Sequence, residues 1–114
     1  MRTFEELTTI TAVHHFIQDH KLSFLFISQP NCSVCHGLFP QVQRLMMNYP
    51  EINLGHINAS EVPEVAGAFS VFTVPVLLLF AEGKEYIREA RIVQLDLFEE
   101  KLDKIYRHVA ESTE

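Results

Sequence analysis

The chain has 114 residues, 47% of them hydrophobic and 21% charged, with a formal net charge of -6. That is enough chain to bury one core without staples, so a single globular domain over residues 1–114 is expected. With 9 Lys and Arg against 15 Asp and Glu there is no basic face to neutralise phosphates, and neither nucleic acid nor an anionic membrane is an expected partner.

Residues 1–7 include Glu5 and Glu6 and have no apolar stretch of the secretory kind. The longest apolar run, residues 74–81, contains Pro75 and is far too short to cross a bilayer. A cytoplasmic chain is expected. In that setting two cysteines at close spacing point to redox or metal chemistry rather than to a structural staple.

Residues 4–10 fit either a short edge strand or the first turn of a helix. Helical periodicity is clear over residues 11–20, with Val13, Phe16 and Ile17 on one side and Thr11 as N-cap. One member of the His14–His15 pair fits that stripe. Residues 22–27 are nearly all apolar and read as a strand buried on both faces. Beyond the cysteines, Val34, Leu38, Phe39, Val42, Leu45 and Met46 recur at helical spacing over residues 33–48. Pro40 falls inside that helix, where it removes one backbone hydrogen bond and bends the axis.

Residues 52–58 alternate as a strand does, and residues 60–69 read as a short helix with Ser60 as N-cap. Pro75 precedes a strand over residues 76–80, Ala81-Glu82-Gly83-Lys84 signals a hairpin turn, and a second strand covers residues 85–90. A final helix over residues 95–109 carries the stripe Leu95, Phe98, Leu102, Ile105, Tyr106 and Val109, and the acidic end, residues 111–114, is expected to fray. This order predicts an α/β sandwich, a mixed sheet with helices on both faces.

Both cysteines fall in Ser28-Gln29-Pro30-Asn31-Cys32-Ser33-Val34-Cys35-His36, where the first apolar strand stops and the long helix begins. Such a pair can close into a small disulfide ring and reopen, cycling two electrons, so thiol–disulfide exchange is the leading chemistry. The same residues match the Cys-x-x-Cys-His pattern of haem attachment, but the flanking strands do not suit a small helical cytochrome. Zinc would need a fourth ligand, and His14, His15, His20 and His108 lie in helical patterns without a second cysteine pair. No cofactor beyond the cysteine pair is expected.

Over most of its length the chain resembles the thioredoxin family. The Cys-x-x-Cys follows a buried strand and opens a long helix, and Pro40 falls at that family's helix kink. Val74-Pro75 falls at its cis-proline, followed by an apolar strand and by Gly83 in the turn. The resemblance implies a thioredoxin fold with the cis-proline facing the cysteines. It implies Cys32 as exposed nucleophile, Cys35 as resolving thiol, and a Val74 backbone free to pair with an extended substrate segment. A helix start favours the thiolate over a free thiol that titrates near about 8.5, and Ser33 and Val34 would adjust that stability. His36 is a candidate to stabilise the Cys32 thiolate, against the plainer reading of an exposed residue.

Partners implied by the resemblance are protein disulfide clients and a thiol or reductase as electron donor. A non-catalytic binding or redox-sensing module would use the same cysteines. The departures are specific: Asn31 stands where the family has tryptophan, and Ser33-Val34 where it has Gly-Pro. Phe26 replaces the buried acid thought to help take the resolving cysteine's proton, and His56 replaces the lysine beside it. By position His56 is a candidate for that proton, against the reading of a core or strand-surface histidine.

Overall fold

Among the described residues, 2–111 of the computed structural model, five strands form one mixed sheet. They are β1 (Glu5–Glu6), β2 (Leu22–Ser28), β3 (Asn53–Asn58), β4 (Val76–Ala81) and β5 (Lys84–Ala90), in the spatial order β1-β3-β2-β4-β5. β1, β3 and β2 run parallel, whereas β4 is antiparallel to both β2 and β5. The helices are α1 (Ile10–Asp19), α2 (Ser33–Met46), α3 (Val65–Phe69) and α4 (Leu95–Glu111).

The period-2 alternation of side chains divides the core cleanly. Leu22, Phe24 and Phe26 of β2, with Leu77 and Leu79 of β4, pack with Leu38 and Val42 of α2 and Phe98 and Leu102 of α4. Leu25 and Ile27, with Val76, Leu78 and Phe80, pack instead with Val13, Phe16 and Ile17 of α1 and Val65 of α3. Strands buried on both faces read as near-continuous apolar runs, which is how β2 and β4 read in the sequence. Two residues with positive φ, Glu82 (51°) and Gly83 (83°), join β4 to β5 in the manner of a two-residue type I′ hairpin turn.

Three expectations are corrected. The N-cap of α1 is Thr9 rather than Thr11, its Oγ1 accepting the Ala12 N–H at 3.1 Å, so that Ile10 falls within the helix. Ser60 caps no helix. Asn58 Oδ1 accepts the Ser60 N–H at 2.9 Å and the Asn58 carbonyl accepts those of Glu61 and Val62, so the segment turns and α3 begins at Val65. His14 and His15 are both exposed, the His14 ring lying 5.4 Å from that of Phe69. The end expected to fray divides: α4 includes Glu111, and residues 112–114 lie outside the described residues.

Two contacts fix α2 at its far end. The Arg2 guanidinium donates to the carbonyl of Met46 (3.1 Å) at the end of α2 and to those of Tyr49 (2.9 Å), Pro50 (3.3 Å) and Ile52 in the turn that follows. The buried Tyr49 hydroxyl donates to Glu99 of α4 at 2.9 Å and lies 3.4 Å from Asp103. Burial first, then the Glu99 hydrogen bond, hold this phenol well above its ordinary range. A raised phenol contributes stability that is complete below the unfolded value of about 10 and is lost as pH rises through it. Stability should therefore fall on going from about pH 9 to 12, and Tyr49→Phe should flatten that fall in denaturant titrations.

Gly55 has a different constraint. A Cβ there would lie 2.8 Å from Leu7 Cδ1 and 3.1 Å from both Leu25 Cδ2 and Phe16 Cε2. Leu7, Leu25 and Phe16 are all buried and cannot swing aside. Gly55→Ala should lower the unfolding free energy by about 1–3 kcal/mol, the usual cost of overpacking, as measured by urea denaturation.

Candidate active site

β2 ends at Ser28, and the chain turns once before α2: the Cys32 N–H donates to the Gln29 carbonyl at 3.2 Å. Cys32 is then the N-cap of α2, with extended backbone. Its Sγ accepts the Cys35 N–H at 3.1 Å and its carbonyl accepts the His36 N–H at 3.2 Å. The sulfurs of Cys32 and Cys35 are joined as a disulfide, with Cα atoms 5.3 Å apart. The two cysteines differ in environment. Cys32 is half-buried, whereas Cys35 is 2% exposed and belongs to the apolar cluster with Phe26, Leu38 and Val42.

On the Cys32 side lies an open groove of about 470 Å³, lined by Cys32, Ser33, Val34, Val74, Pro75 and Ile92 among others. Ser33 and Val34 are exposed at its rim, Val34 at 60%. The Val74–Pro75 peptide bond is cis, and the Pro75 carbonyl accepts the Arg91 N–H at 2.9 Å. Val74 lies just outside the β4–β5 ladder, whose pairing includes Val76 opposite Ala90. Arg88 braces this loop from behind, donating to the Phe69 carbonyl at 2.7 Å and the Ser70 carbonyl at 3.3 Å while paired with Glu85. That hydrogen-bonded Glu85 carboxylate raises the Arg88 pKa, so the brace stays charged.

On the Cys35 side lies a second cleft, of about 510 Å³, whose walls include Cys35, His36, Phe39, Ser28, His56 and Glu6. His36 is exposed and its Nε2 donates to the Pro30 carbonyl at 2.7 Å, tying the helix start to the preceding loop. Phe26 stands opposite His56 in the β2–β3 register, ring centroids 6.2 Å apart at 28°. His56 is only partly buried. Its Nδ1 lies 2.8 Å from both carboxylate oxygens of Glu6 and its Nε2 2.7 Å from Ser28 Oγ.

Cys32, Ser33, Val34, Val74 and Pro75 are thus brought to one groove, and His36 to the opposite cleft with Cys35. Arg91 and Ile92 also line the groove. Sequence reasoning gave them no role, and the signal available was slight: an apolar side chain, Ile92, just past a strand end. Glu6 and Ser28 were missed as partners of His56 because only the register of parallel strands brings them together. Among the described residues, no group of three or more His, Cys, Asp or Glu side chains is placed to hold a metal ion, and no helix is long and apolar enough to cross a membrane.

A mixed sheet in this order, with a disulfide-forming Cys-x-x-Cys opening the helix after its central strand, defines the thioredoxin class of folds. The thioredoxin family model matches residues 6–104, and the chain belongs to that family. It is 50% identical over 107 residues to thioredoxin-like protein YdfQ of Bacillus subtilis (strain 168), a match covering 94% of this chain and 96% of the relative. Thioredoxin from Fasciola hepatica superposes with a TM-score of 0.77 at 22% identity, covering 88% of this chain and 98% of that one. The oxidized form of mitochondrial thioredoxin 3 from Saccharomyces cerevisiae gives 0.79 at 19% identity, covering 88% and 94%. At such identity these structures establish the fold alone.

Family and cysteine pair together support a thiol–disulfide oxidoreductase role. The unequal burial of the cysteines has a direct readout. After reduction, iodoacetamide should modify Cys32 much faster than Cys35 at neutral pH, by mass spectrometry of the alkylated peptides.

Proposed function

We propose that the protein is a cytoplasmic thiol–disulfide oxidoreductase that acts on protein disulfides, its 114 residues working as one unit. The observation that carries this reading is the half-buried Cys32 at a helix start, disulfide-bonded to a buried Cys35 and opening on a groove with Pro75. Reduction begins when the Cys32 thiolate attacks one client sulfur. The client S–S bond breaks, one client sulfur leaves as a thiol, and a mixed disulfide forms. The Cys35 sulfur then attacks Cys32 Sγ, the mixed disulfide breaks, and the second client thiol leaves with both electrons transferred. A small thiol or a reductase returns the Cys32–Cys35 disulfide to the dithiol. No cofactor enters either half of the cycle.

The remaining residues support this chemistry. The Cys35 N–H, which donates to Cys32 Sγ, and the helix dipole favour a thiolate at Cys32, with Ser33 and Val34 adjusting its stability. Val74 offers its backbone to an extended client segment, and Pro75 lies behind it without an N–H to compete. His36 keeps the loop closed against the helix through the Pro30 carbonyl.

The test is a trap. Cys35→Ser should hold clients as disulfide adducts of Cys32 that reductant releases and mass spectrometry identifies, and Cys32→Ser should hold none. The wild type should turn over insulin disulfides with dithiothreitol as donor. A stable client complex without turnover would instead mark a non-catalytic binding module.

A further inference from the structure

Cys35 has to lose a proton before its sulfur can attack, and its surroundings leave few routes. It is 2% exposed, and its neighbours in the core cluster are side chains such as Phe26, Leu38 and Val42, which accept no proton. Cys35 lines the 510 Å³ cleft between α2 and the ends of β2 and β3, whose walls carry polar groups. The titratable side chains lining that cleft are Cys35 and His36 from α2, His56 from β3 and Glu6 from β1, while β2 contributes the hydroxyl of Ser28. His36 is exposed, and its Nε2–H donates to the neutral Pro30 carbonyl, which carries no charge to hold an imidazolium.

His56 is differently placed. An ionised Glu6 carboxylate has no proton to give, so the Nδ1 contact at 2.8 Å requires Nδ1–H as donor. The neutral ring then presents Nε2 as the acceptor, and the Ser28 hydroxyl donates to it at 2.7 Å. Glu6 fixes the tautomer and keeps its carboxylate against Nδ1–H while Nε2 takes the proton. Phe26 and Phe39 pack against the ring, with centroids at 6.2 and 5.9 Å, and hold it in this line.

We infer that Ser28, His56 and Glu6 form the relay that takes the Cys35 proton during the closing step. This inference rests on the proposed exchange function and assigns one further role within it. The Cys35 S–H proton passes through solvent in the cleft to Ser28 Oγ, and the hydroxyl's own proton moves to His56 Nε2. The freed sulfur electron pair forms the bond to Cys32 Sγ, and the Cys32–client S–S bond breaks with its pair on the client sulfur. The client thiolate takes a proton from water, and the His56 imidazolium, paired with Glu6, returns its own to solvent. The dithiol is oxidised by two electrons and the client reduced by two. Ser28 and His56 are the relay's moving parts; Glu6 is a positioning residue.

The experiment uses the full chain, fully reduced, and Ellman's reagent as the probe. In stopped flow the first burst of thionitrobenzoate reports attack by Cys32. The second reports closure by Cys35, and thionitrobenzoate leaves as a stable anion needing no proton. A free thiol is only about 3% ionised at pH 7 and burial among apolar side chains disfavours the thiolate further, so His56→Gln should slow the second phase by about thirtyfold or more there. The gap should narrow as pH rises and the thiol ionises without a base. Ser28→Ala and the half-exposed Glu6→Gln should each slow closure by a smaller factor, with the first phase unchanged, and they keep the test open if His56→Gln folds poorly by circular dichroism.

An unchanged second phase across pH in His56→Gln, or in both Ser28→Ala and Glu6→Gln, overturns the relay. So does a loss that appears in His36→Ala instead. Failure of the exchange function itself would show in the first phase, as a Cys32 no more reactive than an unstructured thiol, and the second phase would remain readable.

Discussion

Everything at the site depends on where strand β2 ends. β2 is parallel to β3 on one side and antiparallel to β4 on the other, and both its faces are buried. That double pairing leaves the strand no freedom of register: a slip of one residue would turn Phe24 and Phe26 away from α2 and α4 and Leu25 and Ile27 away from α1. Its last residue, Ser28, is therefore fixed in space. Residues 29–31 have only to turn once before Cys32 caps α2. The cysteine pair is held by the central strand of the sheet, while the groove facing it is set by β4, which begins one residue after Pro75.

How much of this the sequence discloses depends on the length scale of the signal. Strands β2 and β4 are legible because burial on both faces writes an apolar residue at nearly every position. Helices α2 and α4 are legible because their stripes hold over three or more turns. The short elements are not. β1 is two exposed glutamates whose pairing with Gly55 and His56 leaves no period to detect. Between Thr9 and Thr11 the N-cap is decided by whether Ile10 lies inside the helix. Residues 60–64 carry helix-compatible types, yet the Asn58 side chain and carbonyl claim the N–H groups that a helix start would leave free.

The site divides along the same line. Cys32, Cys35 and Pro75 announce themselves by spacing and by resemblance. The environment of His56 does not, since Glu6, Ser28 and His56 come from three strands and are separated by 22 and 28 residues. A position read as a lost acid, Phe26, turns out to be a packing surface for that histidine. The carboxylate nearest that imidazole is Glu6, two strands from Phe26 on β1.

The clasp made by Arg2 has a consequence for how the chain is assembled. Its partner carbonyls, 44 to 50 residues away, belong to the end of α2 and the turn into β3. All of these are synthesised before β4. During synthesis β1, α1, β2, α2 and β3 can close around that clasp while the second edge of β2 is still unpaired. A largely apolar strand with an open edge is a template for pairing with another chain until β4 arrives to cover it. The guanidinium at the end of α2 thus joins only segments that precede β4 in the chain, the strand that covers that edge.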